Sequence, residues 1–296
     1  GRPGLFRLRG RQRRNGLVGA YRRVRRRIGV GHLFQTIERS VIRRGAQLLS
    51  LSPWLREALP IGLRRTLRRG QRLAVDLYRG TLSVPGPCEV DRWHAVATVE
   101  QALGTTPNAS GKQHNIALAA AAFSARPIRP GAEFSFWRWL GSPSRGRGFQ
   151  DGRALRGGEL VLETGGGLCQ LAGALYFVGL QAGLNPLERH AHSVDLYTDD
   201  TRYAPLGSDA TVSHGFKDLR LANPHTCAVA FEVQAAGDVL QVELLAEHPL
   251  APAAVDFRRA FQPDGSQIVE TWRGGAMLAR TRYGKLSSSA SAKSPV

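Results

Sequence analysis

Apolar residues return at three- and four-residue steps twice in the first third of the chain. Phe34, Ile37, Val41 and Ile42 form the first set, and Leu63, Leu67, Leu73 and Leu77 the second. That spacing is the period of an amphipathic helix. Pro53 and Pro60 divide residues 33–80 into two or three such helices. The face opposite the apolar stripe is rich in arginine, which suits an acidic partner or an anionic membrane surface. The simpler expectation is that the apolar stripe packs on the rest of the protein and the arginines stay solvated.

Residues 81–88 (TLSVPGPC) read as a linker, and 89–125 as helical again, ending in an Ala-rich stretch over 115–122. Residues 133–140 (EFSFWRWL) alternate aromatic and polar positions, as a half-buried strand does. Residues 141–158 read as a Gly/Arg/Ser loop. Leu171, Leu175, Val178 and Ala182 share one helical face over 168–182, and 187–197 alternates in period two. Short strands are expected at 228–234 and 239–245. A hairpin over 261–282 turns at Pro263-Asp264-Gly265. The fold class is therefore α+β: basic N-terminal helices, then a mixed domain with a Cys-bearing helix packed on an antiparallel sheet. The expected boundaries are a basic region over 1–82, a linker and helix over 83–110, the central domain over 111–250, a β-hairpin extension over 251–286, and a disordered tail over 287–296.

Charge sharpens this division. The 296 residues carry a net +18, and residues 1–82 hold all of it, with 21 arginines against Glu38, Glu57 and Asp76. Residues 83–296 balance 20 bases with 20 acids. The Arg- and Gly-rich first 30 residues read as a flexible arm. A uniformly basic, nucleic-acid-coating protein is excluded, and residues 1–82 lack the aromatic interleaving or groove-entering motif of a nucleic-acid binder. Three cysteines, Cys88, Cys169 and Cys227, are too few for a disulfide scaffold. No apolar run reaches the length of a membrane span and no signal-peptide pattern opens the chain, so a cytoplasmic or membrane-associated location is expected.

The candidate chemistry lies in 165–212. Gly165, Gly166 and Gly167 precede Cys169 at a helix start, where unpaired N–H groups and the helix dipole favour an anion. A thiolate there is a competent nucleophile. The three glycines and Gln170 are expected to line the substrate and oxyanion region, with Arg189 as a further substrate contact. His190 and His192 follow on one face of a strand, and either can serve as general base. Asp209, in a turn, is the candidate for orienting the imidazole, with Asp195 the runner-up. The same four residues, Cys169, His190, His192 and Asp209, offer S, N and O donors for zinc, an alternative ranked below thiol chemistry with no resident cofactor.

These residues fall within a longer ordered set. Gln113-His114-Asn115, Arg129 through Phe136, Gly148-Phe149 with Asp151-Gly152, Gly165 through Gln170, Glu188 through Ser193, Gly207 through Val212 and Asp218 through Asn223 together resemble the VanW family. The resemblance covers roughly residues 111–248. His225-Thr226-Cys227 and Leu171-Ala172 depart locally from the family pattern without touching the Cys or His positions. The resemblance implies a link to glycopeptide resistance and the cell envelope. A Cys at a helix start followed by a His-bearing strand is also similar, in arrangement alone, to papain-like and transglutaminase-like thiol enzymes. The resulting expectation is a thiol-dependent enzyme acting on an amide or peptide-like bond of a cell-wall precursor, or else a non-catalytic envelope-associated binding protein.

Overall fold

The computed structural model describes residues 59–104, 109–156, 159–195, 202 and 204–285. The expected N-terminal arm, the helical pattern before residue 59 and the tail over 287–296 lie outside the described residues. Within them the protein is α+β with antiparallel sheets. The elements run α1 (Ile61–Arg79), β1 (His94–Ala102), α2 (Ala109–Ala120), β2 (Arg126–Ile128), β3 (Glu133–Ser135) and α3 (Phe136–Leu140). Next come β4 (Asp151–Arg156), β5 (Glu159–Thr164), α4 (Leu168–Gln181), β6 (Asn185–Glu188) and β7 (Arg220–Ala222). The last five are β8 (Val229–Ala236), β9 (Val239–Ala246), β10 (Val255–Phe261), β11 (Gln267–Arg273) and β12 (Ala276–Tyr283).

The central sheet has the order β1-β9-β8-β2, and α4 packs against β1 and β9. Leu171, Ala172, Ala174, Leu175, Tyr176, Val178 and Leu180 of α4 are fully buried. Such a helix is apolar nearly all round because it is enclosed on several sides. Val99, Ile116, Phe123, Phe134, Phe136, Phe231, Val242 and Leu244 complete the core around it. Phe134 makes edge-on contacts with Phe123, Trp139 and Phe231. The hairpin β4-β5 lies against the turn before α4, the small sheet β3-β7-β6 brings Leu221 against Gly179 near the other end of that helix, and β10-β11-β12 form a separate meander.

Several expectations change here. Residues 94–102, read as helical, form β1, whose ladder with β9 runs from His94 opposite Ala246 to Ala102 opposite Val239. A bulge between Ala95 and Ala97 breaks the period-two signature that would have betrayed a strand. Residues 133–140 split: only Glu133–Ser135 is strand. The Ser135 hydroxyl accepts the Arg138 amide and caps a short helix. Part of the expected 141–158 loop is β4. The C-terminal extension is a three-stranded meander, because Gly274-Gly275 makes a second turn after the one at 262–266.

Helix α1 packs the reverse way from expectation. Its charged side faces the body. Asp76 accepts a bidentate pair from Arg220 at 2.7 and 3.0 Å and a contact from Arg138 at 3.0 Å. Arg72 grips Glu188 at 2.6 and 2.7 Å, and Arg65 and Arg68 lie over the Phe216 ring. Leu63, Leu67, Leu73 and Leu77 are instead exposed, at 46%, 47%, 57% and 67%. Asp218, buried beside β7, and half-buried Glu188 at the end of β6 draw the arginines inward more strongly than the core draws the leucines.

Candidate functional site

Cys169 is the second residue of α4, which starts after the turn Gly165–Gly167. Two of these glycines answer to geometry. Gly167 has φ of 98°, a left-handed conformation that side chains resist. At Gly166 a Cβ would lie 2.0 Å from the Gly152 carbonyl oxygen, so its backbone presses directly on β4. Asn115 of α2 fixes the turn further. Its amide donates to the Gly166 and Gln150 carbonyls at 2.9 Å, and its carbonyl accepts the Gln150 amide at 2.8 Å. The glycines thus set the Cys-bearing helix start by packing. Gln170, also expected to line a substrate region, is buried and donates to the Ala102 carbonyl at the end of β1, at 2.9 Å.

The residues expected in one strand over 187–197 separate, because β6 ends at Glu188. His190 Nε2 turns back to Glu188 at 2.9 Å. His192 turns the other way: its Nδ1 and its backbone N both meet Asp209 Oδ2, each at 2.7 Å. The Thr211 amide donates to the His190 carbonyl at 2.6 Å, which ties the histidine segment to the Asp209 segment. One turn beyond Cys169, Gly173 of α4 lies against the backbone of Asp209 and Ala210. Cys169 Sγ donates to the Val212 carbonyl at 3.6 Å. Cys169, His192 and Asp209 therefore come together, and His190 does not join them. Asp195 pairs with Arg202 at 2.8 and 3.0 Å.

The electrostatics follow from these contacts. Burial disfavours the His192 imidazolium, but hydrogen bonding to Asp209 and to the Cys169 sulfur outweighs it, and its pKa is pushed up to about 9. Burial likewise works against the Asp209 carboxylate. The hydrogen bond from His192 and the charge of Arg189 overcome it and hold this acid well below the usual carboxylate range. The thiol itself donates to the Val212 carbonyl, with its sulfur close enough to the His192 ring to help raise that pKa.

Arg189, expected to contact substrate, is turned inward with 8% of its side chain exposed. It donates to the Asp209 carboxylate at 2.8 Å and to the Asp209 and Gly207 carbonyls at 2.8 and 3.0 Å. It also reaches Thr281 at 2.8 Å and Tyr283 at 2.9 Å, and its guanidinium covers the Tyr176 ring. Tyr283 itself donates to Asp209 Oδ1. Two residues of β12 thus help to hold the carboxylate, a role sequence reasoning missed because nothing in the local text of Thr281 or Tyr283 signals it. Glu188, Asp218 and Arg220, by contrast, stand in the segments that carry the family resemblance and were passed over. As for zinc, no three His, Cys, Asp or Glu side chains converge as ligands among the described residues. His190 faces Glu188, and the His192 Nδ1 meets Asp209.

Residues 111–245 match the family profile described as VanW like protein, just under half of the chain. Over 116 residues the chain is 34% identical to the Vancomycin B-type resistance protein VanW of Enterococcus faecalis, covering 39% of this chain and 42% of that protein. Over 139 residues it is 32% identical to the uncharacterized protein YoaR of Bacillus subtilis, covering 46% of this chain and 44% of that one. The chain thus spans less than half the length of each of these relatives. No solved structure matches it. The matched segment contains Asn115, the glycine turn, Cys169, His192 and Asp209, and it is over these residues that the chain is similar to the VanW family.

Proposed function

We propose that this protein is a thiol-dependent enzyme that cleaves or transfers an amide or peptide-like bond in a cell-envelope precursor. The observation that carries the reading is the chain of contacts from Asp209 through the His192 imidazole to Cys169 at the start of α4. The His192 Nδ1 is fixed on Asp209, so the opposite ring nitrogen is the one available to the thiol. The Cys169 thiolate attacks the carbonyl carbon, and the imidazolium gives its proton to the departing amine as the C–N bond breaks. The acyl–sulfur bond then opens to water or to an acceptor amine, whose proton His192 takes up. The Cys169 amide N–H and the positive end of the α4 dipole stabilise the oxyanion, the Leu168 and Gln170 amides being bonded to the Gly165 and Gly167 carbonyls.

Lys112 of α2 supports an anionic substrate. Its side chain lies across Gly167, where a Cβ would come within 2.5 Å of its Cγ. Burial and nearby Arg153 bring its pKa down to about 8, which leaves it mostly cationic at neutral pH. The cell-envelope assignment rests on the resistance named for the Enterococcus relative.

Iodoacetamide labelling with mass-spectrometric mapping tests the thiol. Cys169 should label faster than half-buried Cys88 and buried Cys227 near neutral pH, and His192→Ala should slow it roughly tenfold or more. A Cys169 rate equal to that of Cys88, or indifferent to His192→Ala, overturns the reading in favour of a binding protein. With a turned-over cell-wall peptide in hand, Cys169→Ala abolishes activity without unfolding the chain.

A further inference from the structure

The thiol site leaves the outward face of α1 unused. Taking 100° per residue, Leu63, Leu67, Gly70, Leu73, Ala74 and Leu77 fall on one side of the helix. All six, spread over residues 63–77 of the helix, are exposed. The opposite side is locked to the body through Asp76 with Arg220 and Arg72 with Glu188. Because these are bidentate, partly or fully buried pairs, the helix cannot simply roll its leucines into the core. An apolar stripe held outward in this way marks an interaction surface.

The charges beside the stripe choose the occupant. Arg64 and Arg69 flank it, one on each side, and Arg68 is exposed near the basic side; the helix has a single acid, Asp76, and that one is buried against Arg220. A second copy of this helix would bring arginines against arginines. Residues 1–60 would do the same, with 15 arginines against Glu38 and Glu57. An anionic bilayer instead takes up the leucines and neutralises the flanking guanidinium groups. We propose that α1 lies on an anionic lipid surface, inserting Leu63, Leu67, Leu73 and Leu77 below the headgroups. No helix among the described residues is long and apolar enough to cross a membrane, so this contact is interfacial. It is independent of the thiol chemistry.

Co-sedimentation of the full chain with vesicles tests this, using phosphatidylglycerol mixed with phosphatidylcholine and, separately, phosphatidylcholine alone. The double variant Leu67→Gln, Leu77→Gln removes apolar contact without changing charge, and both positions are exposed, so the fold should survive; circular dichroism and unchanged Cys169 labelling check that. Wild type should bind the anionic vesicles more tightly, and the variant should lose roughly tenfold or more in partitioning. Equal binding of wild type and variant overturns the proposal, because residues 1–60 would then account for the affinity. So does self-association of wild type in sedimentation velocity that the variant abolishes, which would assign the stripe to a second copy.

Discussion

Replacing Asp209 by Asn removes one charge from the centre of the site while keeping the side chain's volume. Asp209 Oδ2 accepts both the backbone N and the Nδ1 of His192 at 2.7 Å, and Oδ1 accepts Arg189 and Tyr283. Burial by itself would pull the His192 pKa below its ordinary 6.5, yet it stands at about 9. That rise corresponds to roughly 3 kcal/mol of preference for the imidazolium, shared between Asp209 and Cys169. In Asp209→Asn the carboxylate share disappears and the burial penalty remains, so the His192 midpoint should fall by roughly one unit or more. The sign of the stability change follows. In wild type the raised imidazolium adds stability that is fully present below about 6.5 and lost as pH rises through about 9. The variant should lose most of that alkaline step. An NMR titration of the His192 ring reads the midpoint, and urea unfolding at pH 6 and pH 9.5 reads the linkage. A midpoint within a few tenths of wild type in a folded variant would refute the argument. Asn also leaves the buried Arg189 charge short of its partner, so circular dichroism must show that the variant folds.

Tyr283→Phe is the milder companion: it deletes one donor to Asp209 but leaves the Asp209–Arg189 pair intact. Loss of a hydrogen bond to a charged group should cost about 1.5–3 kcal/mol in urea unfolding, and the labelling rate of Cys169 should fall with it. Gly166→Ala places a methyl 2.0 Å from the Gly152 carbonyl oxygen and should destabilise by about 3 kcal/mol or more. Gly86→Ala, which meets nothing within 4 Å, should shift the same urea midpoint little.

What the text of the chain disclosed was the chemistry carried by neighbours in sequence; what it concealed depended on partners far away. The glycines before Cys169 and the run Leu171, Leu175, Val178 announce a helix start without help from the rest of the fold. Asp209 was legible as a turn acid near the histidines. The pairing of His190 with His192 was not resolved, because period two holds only while a strand lasts, and β6 stops at Glu188. His190 then takes the nearest carboxylate, its own Glu188. Strand β1 was misread because Ala, Glu and Gln favour helix locally, while the ladder to β9 decides the outcome. The leucine stripe of α1 was read correctly as helical and assigned the wrong side, since hydropathy ranks leucine as buried before Asp76, Glu188 and Asp218 have been placed. Those acids sit up to 144 residues from the arginines they bind, and no local pattern connects them.

The five residues from Glu188 to His192 show why a site inside the family segment depends on elements outside it. Glu188 points to α1: Arg72 holds it bidentately, and with His190 outweighs burial to keep the acid well below its usual range. Arg189 points to β12, where Thr281 and Tyr283 meet it. His192 points to Asp209 and Cys169. Farther along, the Gly284 amide donates to the Ser193 carbonyl at 2.8 Å, extending β12 onto the same segment. One short stretch is thus pulled from three sides, and the position of the His192 ring is the resultant. Residues 61–79 and 276–283 both lie beyond the matched 111–245, yet each supplies one of those anchors. Through Arg72 and Glu188, α1 anchors this segment four residues of backbone from the imidazole.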